Sequence, residues 1–483
     1  MRKNAALAMG LLLASVGPLR ADEPRPVPLT RPEMKQLLED MKLRHPRFQL
    51  PELSAEEKAK LGERESGYES RLRKLYLHPS EGVRFGGGNA QAAPAVDLKG
   101  GTAAEPGIRR NTDPNMSLDY PFKTQMFWVV SRTNNCQYCL GHQESKLLGA
   151  GLKEEEIAAL DGDWLEFNPA QRAAFAFARK LTYEPHRLND ADIDELRKSY
   201  KDLQILEMIL SIAGNNAINR WKEGAGIPQS KDGGNFRRRT ENGATPAPAL
   251  APDATAPAQS YLTPTPEKFR TTITKVAPIQ VDRISGEPSR QTICERPALE
   301  SREEVERALE LCRNRKPRLP LLDEAKAREV LSENGPSGPL PQWIRLLANF
   351  PRDGVSRVIS LQSAEEKGDL TPLLKAQVSW IIARQDRAWY AVGHAKKRLE
   401  QLGQSQEQID KLDGPWSEFT MSERALFTVA RKLAASPVVL TDEDVANAVK
   451  FAGPRDVVQL ISYTTNRASF DRITEAAGLQ LER

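Results

Sequence analysis

The feature that most limits what this chain can fold into is an internal repeat. With the numbering shifted by 252, residues 128–192 fall on 380–444 without a gap, and about 25 of the 65 positions agree. Trp128 meets Trp380, Arg132 meets Arg384, Tyr138 meets Tyr390 and Gly141-His142 meets Gly393-His394. Farther on, Asp161-Gly162, Trp164 and Glu166-Phe167 meet Asp413-Gly414, Trp416 and Glu418-Phe419. Ala178-Arg179-Lys180-Leu181 meets Ala430-Arg431-Lys432-Leu433. Whatever unit the first half forms, the second half forms again.

Local signals must therefore agree between the copies, and they do. Gly151 and Gly403 stand where a helix C-terminus needs a left-handed residue. Asn168-Pro169 and Thr420 open a helix, with Gln171 and Glu423 at the capping-box position. Asn189 and Thr441 open another, with Asp192 and Asp444 three residues on. Between these signals, stretches such as 173–181 and 203–218 carry apolar residues at helical spacing, and strand alternation is scarce. The expectation is an all-α chain of two tandem bundles, each of roughly six helices, over 117–228 and 321–480. A helical pre-segment at 32–80, with a capping box of Ser54 and Glu57, precedes them, and 83–116 reads as loop. The Pro- and Ala-rich stretch 229–268 lacks apolar periodicity and reads as a disordered linker.

Arg2 and Lys3 precede an apolar run at 5–16, then Pro18 and the small residue Ala21. This is the layout of a signal peptide over 1–21, and the run is short of the ~20 residues that span a bilayer. The mature protein is expected to be periplasmic or secreted, with no membrane partner, where disulfides persist. A net charge of +4 from 69 basic and 65 acidic residues offers no concentrated basic face for nucleic acid. The cysteines number four, too few for a disulfide scaffold in 483 residues. Cys294 and Cys312 are expected to pair with each other.

The chemistry lies in Asn134-Asn135-Cys136-Gln137-Tyr138-Cys139-Leu140-Gly141-His142. On a helix, Cys136 and Cys139 are i and i+3, with their sulfurs on one face. His142 is i+3 from Cys139 and farther round from Cys136, so Cys139 is the better placed to exchange a proton with imidazole. A helix N-terminus and a nearby histidine both favour thiolate. A redox pair is the leading reading. A structural disulfide, a zinc site with a fourth ligand, and inert core packing remain open. Attachment of c-type haem is excluded, because Leu140 follows the second cysteine.

The Cys-Gln-Tyr-Cys-Leu-Gly-His run and its helical setting resemble the carboxymuconolactone decarboxylase and alkylhydroperoxidase D superfamily, over roughly 117–228 and, in degenerate form, 321–480. The resemblance implies a hydroperoxide reductase in which Cys139 attacks the peroxide, Cys136 closes a disulfide and His142 relays protons. It implies a thioredoxin-like or other thiol reductant, a small hydroperoxide as substrate, and no metal or organic cofactor. Family members associate through their helices, so the resemblance implies a homo-oligomer or an intramolecular pseudo-dimer in which the second copy packs on the first. Two positions depart from the best-known peroxidase pattern. Gln143 stands at its histidine, and Thr124 stands where it has a glutamate twelve residues before the first cysteine. The alternatives are a thiol–disulfide oxidoreductase acting on proteins and a non-catalytic binding or assembly protein.

In the second copy Ala388 and Ala391 replace the cysteines while His394 persists, and His394 is expected to be a satisfied structural group. The matched tryptophans 128, 164, 380 and 416 are expected in the core. Arg179-Lys180 and Arg431-Lys432 are expected on a solvated face.

Overall fold

The structure, a computed structural model, describes residue 44 and residues 46–78, 113–134, 136–161, 164–228 and 299–482. The expected signal peptide, most of the 83–116 loop, the 229–268 linker and Cys294 lie outside the described residues. Two helices come first, α1 (Ala55–Ser66) and α2 (Tyr68–Tyr76). The first half follows with α3 (Tyr120–Asn134), α4 (Gln137–Gly149), α5 (Glu154–Ala159), α6 (Pro169–Tyr183), α7 (Asp190–Arg197) and α8 (Asp202–Ala225). Next come α9 (Arg302–Asn314), α10 (Glu324–Leu331), α11 (Gln342–Leu347) and α12 (Asp353–Glu366). The second half comprises α13 (Pro372–Asp386), α14 (Trp389–Gln401), α15 (Gln406–Asp410), α16 (Met421–Ala434) and α17 (Asp442–Ala476). The described residues are all-α, without a strand, and none of these helices is long and apolar enough to cross a membrane.

The offset of 252 carries over into the helix bounds. Shifted by it, α3 becomes 372–386 and α4 becomes 389–401, the bounds of α13 and α14. The start of α7 falls on that of α17, and α8 falls on the part of α17 beyond Pro454, where Gly453 (φ 85°) breaks the helix. The local causes also recur. Asn168 and Thr420 cap α6 and α16 through capping boxes with Gln171 and Glu423. Asn189 and Thr441 do the same with Asp192 and Asp444. Gly151 (φ 92°) and Gly403 (φ 80°) take the left-handed backbone that a side chain would strain.

One corner of the core is built identically in both halves. Trp128 Nε1 and Arg132 Nε donate to Asp161 Oδ1 at 2.9 and 2.8 Å. Trp380 Nε1 donates to Asp413 Oδ1 at 2.8 Å, and Arg384 is ion-paired with the same carboxylate. Trp128, Trp164 and Trp380 are buried, and Trp416 packs against the core half-buried. The arginines of the Arg-Lys pairs are not on a solvated face. Arg179 is buried over the Trp164 ring, 4.5 Å from its centroid, and Arg431 lies 4.1 Å over Trp416. Lys180 and Lys432 pair with the capping carboxylates Asp192 and Asp444 at 2.8 and 2.7 Å. Helical periodicity locates a residue on a face but does not reveal an aromatic ring that will cover it.

The halves meet chiefly along α8 and α17. Gly224 sets their approach, since a Cβ there would lie 2.6 Å from Ile461 Cγ2. Arg47, in the N-terminal segment, spans the junction by donating to Glu223 O in one half and Leu440 O in the other, at 2.8 and 3.0 Å. Helical structure before the second half begins earlier than the expected Leu321, because Ser301 and Glu304 form a capping box that starts α9. Cys312, on α9, is buried with its thiol 3.7 Å from Leu479 O, and its expected partner Cys294 lies outside the described residues.

Candidate thiol site

The site forms where α3 gives way to α4. Asn134, the last residue of α3, is drawn into the core by hydrogen bonds from its Nδ2 to Asn216 Oδ1 and Asn219 Oδ1 at 2.8 and 3.0 Å. The chain then turns, Cys136 N–H donates to Ser131 O at 2.9 Å, and Cys136 becomes the N-cap of α4. Only Cys139 is inside the helix, at the third position of its first turn, so the two thiols flank the N-terminus instead of sharing one regular helix. The unpaired amides and dipole of that terminus favour negative charge at Cys139. The second half makes the same break: Arg387 takes a left-handed backbone, and Ala388 N–H donates to Ala383 O at 2.9 Å.

Both cysteines are free and buried, Cys136 at 0% and Cys139 at 4% exposure. Burial pushes the Cys136 thiol well above its ordinary range, and a hydrogen bond to Cys139 and the charges of Cys139 and Glu223 push the same way. The Cys136 thiol therefore stays protonated at neutral pH. His142 follows Cys139 by three residues in α4, with its ring 4.6 Å from that of Tyr138. Its Nε2 is buried and has no hydrogen-bond partner among the described residues. Burial, then the charges of Lys222 and Lys146, lower its pKa to about 4, so the imidazole is neutral at pH 7.

A buried polar wall fixes these elements. Ser131 Oγ accepts from Gln143 Nε2 at 2.9 Å and from Asn215 Nδ2 and Asn219 Nδ2 at 3.1 Å each, pinning α3, α4 and α8 together. Gln143, which stands where the best-known peroxidase pattern has its histidine, is part of this wall. Thr124 donates to Tyr120 O at 2.8 Å within its own helix and supplies no acid. Glu144 is half-buried on α4. Among the described residues no group of three or more His, Cys, Asp or Glu is placed to hold a metal ion, which leaves the zinc reading without a ligand set.

Three residues near the thiols were not read as functional from the sequence. Glu69, on α2, is ion-paired with Lys222 and accepts from Trp221 Nε1 at 2.8 Å. The Lys222 ammonium lies 4.4 Å from the centre of the Tyr138 ring. The repeat flags Tyr138, but nothing in the chain announces that Glu69 will dock so far downstream. The Asn215, Asn216 and Asn219 cluster did leave a signal, as three asparagines within five residues of a buried helix.

In the second half Ala388 and Ala391 are buried at the cysteine positions. His394 has a partner, with Nε2 3.0 Å from Glu482 Oε2, and Tyr390 Oη donates to Glu482 Oε1 at 2.8 Å. Comparison with family models matches residues 128–180 to the carboxymuconolactone decarboxylase family. No curated protein matches the chain.

Proposed function

We propose, from the match of residues 128–180 to the carboxymuconolactone decarboxylase family, that the first half is a thiol-dependent hydroperoxide reductase. One observation carries this reading: a buried pair of free thiols at a helix N-terminus, followed one turn on by an imidazole whose Nε2 has no hydrogen-bond partner among the described residues. Cys139 attacks as thiolate, having passed its proton to His142. The S–O bond forms as the O–O bond breaks, giving Cys139 sulfenic acid and an alkoxide that takes the proton back from His142 and leaves as alcohol. The Cys136 thiol then displaces water from the sulfenic acid, closing a Cys136–Cys139 disulfide. An external thiol reductant returns two electrons and two protons, as a thioredoxin-like protein or a small dithiol.

Burial of both sulfurs favours a small hydroperoxide over a protein as substrate. A protein thiol or disulfide, a thioredoxin-like reductant included, must bring its own sulfur to within bonding distance of one of these atoms, so the oxidoreductase alternative is distinguished by oxidation of protein thiols without peroxide. The exported location read from the N-terminus belongs to this proposal, as does the reading of the second half as a degenerate, cysteine-free copy serving as an intramolecular partner. The test is hydroperoxide consumption with dithiothreitol as reductant. Wild type turns over, Cys139→Ser does not, and Cys136→Ser accumulates a sulfenic acid on Cys139 that a dimedone-type reagent traps. Equal consumption by wild type and Cys139→Ser rules the reading out.

A further inference from the structure

The two halves carry the same tyrosine–histidine pair in the same geometry, with ring centroids 4.6 Å apart for Tyr138 and His142 and 4.4 Å for Tyr390 and His394. Their charged surroundings differ. In the cysteine-free half a carboxylate, Glu482, sits directly on the imidazole and takes the tyrosine hydroxyl as well. In the thiol-bearing half the residue against the tyrosine is Lys222, which stands where the second half has Thr474. The carboxylate is one step farther out, on Glu69, and it comes from a helix outside the repeat.

Glu69 is held in place on three sides. It takes the Trp221 indole N–H at 2.8 Å, pairs with Lys222, and faces Arg73 at 3.4 Å, whose guanidinium in turn covers Trp221 at 4.1 Å from the ring. Lys222 Nζ also reaches Tyr138 Oη at 3.4 Å. An ammonium on a buried stem is costly to keep charged without such a partner. Burial works against the charge of Lys222, yet Glu69 and Tyr138 together hold its pKa above the ordinary lysine value.

We propose that Glu69 is a positioning residue of the thiol site, acting from outside the repeat by holding the Lys222 ammonium over the ring of Tyr138 and so fixing the charge that faces His142. The groups bearing on His142 are Lys222 from α8, Lys146 from its own helix and Glu69 from α2, with Tyr138 stacked beside it. Burial first, and then these cations over the carboxylate, keep the imidazole neutral, and Nε2 is not clasped by an acid as it is in His394. The consequence is a neutral imidazole, three residues after Cys139 on the same helix, whose Nε2 has no hydrogen-bond partner among the described residues. This inference rests on the proposed thiol chemistry for its purpose, but not for its measurement.

The experiment uses the full reduced chain. Imidazole NMR titration gives the His142 midpoint, and site-resolved mass spectrometry gives the rate of Cys139 alkylation by iodoacetamide against pH. Lys222→Met is expected to raise the His142 midpoint from about 4 toward the ordinary imidazole value of 6.5, without reaching it because burial remains. Glu69→Gln is expected to change the Cys139 alkylation rate at pH 7 at least fivefold. Lys222→Arg, which keeps the charge, is expected to retain a midpoint within half a unit of wild type. If Lys222→Met and Glu69→Gln fold, as judged by circular dichroism, and leave both the midpoint and the alkylation profile at wild-type values, the proposal is overturned. If Glu69→Gln does not fold, Lys222→Met against Lys222→Arg decides it alone. Absence of peroxide turnover in wild type, with these shifts present, removes the peroxidase reading and leaves this inference standing.

Discussion

Arg220 Nη2 donates to the carbonyl of Ala434 at 2.7 Å, and Arg472, its counterpart 252 residues on, donates to the carbonyl of Thr182 at 3.0 Å. Thr182 and Ala434 are themselves 252 apart, so each half gives the other the same bond. This reciprocity is what an isologous interface between two subunits has, here enclosed in one chain. Ser436 Oγ sits between the two arginines, accepting from Arg220 at 2.7 Å and Arg472 at 3.1 Å, and donates to Asn134 Oδ1 at 3.1 Å. The junction therefore touches the residue that ends α3 just before the thiols.

Close approach of α8 and α17 depends on Gly224, where a Cβ would meet Ile461 Cγ2 at 2.6 Å and Leu433 Cδ2 at 3.2 Å. Gly224→Val is predicted to destabilise the protein by about 1–3 kcal/mol through overpacking. Urea unfolding measures it. A midpoint equal to wild type would show that the helices can separate at no cost.

The junction also has a position where its symmetry is broken by charge. Asn134 and Asn219 bond to each other in the first half, and their counterparts are Asp386 and Asp471. Arg472 takes both oxygens of Asp386, while both oxygens of Asp471 are buried without a hydrogen-bond partner among the described residues. Burial, then the charge of Asp386, raises the Asp471 pKa well above 3.8. A raised acid binds its proton more tightly folded than unfolded, so this contribution is whole below pH 3.8 and is lost as pH climbs through the folded value. Asp471→Asn is predicted to raise the unfolding midpoint at pH 8 by the equivalent of about 1–3 kcal/mol, and to do little at pH 4. Thermal melts at the two pH values check this, and a loss of stability at pH 8 contradicts it.

Much of this architecture was legible in the sequence, because the repeat printed each signal twice. Caps at Asn168 and Thr420, or glycines at 151 and 403, are weak evidence singly and firm in pairs. The cysteine pair and His142 were legible because they are close in sequence. Glu69 was not, since its place is set by the docking of α2 on α8, a contact with no local signature. Arg179 was misread for the same reason: its partner, the Trp164 ring, belongs to another segment.

That stacked pair gives a further prediction. Arg179→Ala removes a cation from over Trp164 and exposes part of the ring, and is predicted to cost about 1–2 kcal/mol. Arg179→Lys, with a compact charge in place of a planar group, recovers less than half of that. Chemical denaturation distinguishes this from a solvated arginine, whose removal changes nothing measurable.

The low pKa of His142 predicts how the reaction responds to acid. Because the folded value is about 4 against 6.5 for the free side chain, the base remains available through mildly acidic pH. Single-turnover oxidation of Cys139 should show no inflection near pH 6.5 and fall only near pH 4. The same depression costs stability as pH drops from 6.5 to 4, where the unfolded chain binds the proton first. His142→Asn removes the pH 4 limb and slows the step, by about 100-fold for loss of a general base. An inflection at pH 6.5 in wild type would assign the proton transfer to another group.

The central claim is tested most directly by adding one equivalent of hydroperoxide to the fully reduced protein and following each cysteine by peptide mass spectrometry. The account predicts that a Cys136–Cys139 disulfide forms stoichiometrically, far faster than Cys312 oxidises, and that Cys139→Ser abolishes it. Oxidation of Cys136 and Cys139 no faster than that of a free thiol in solution would contradict it.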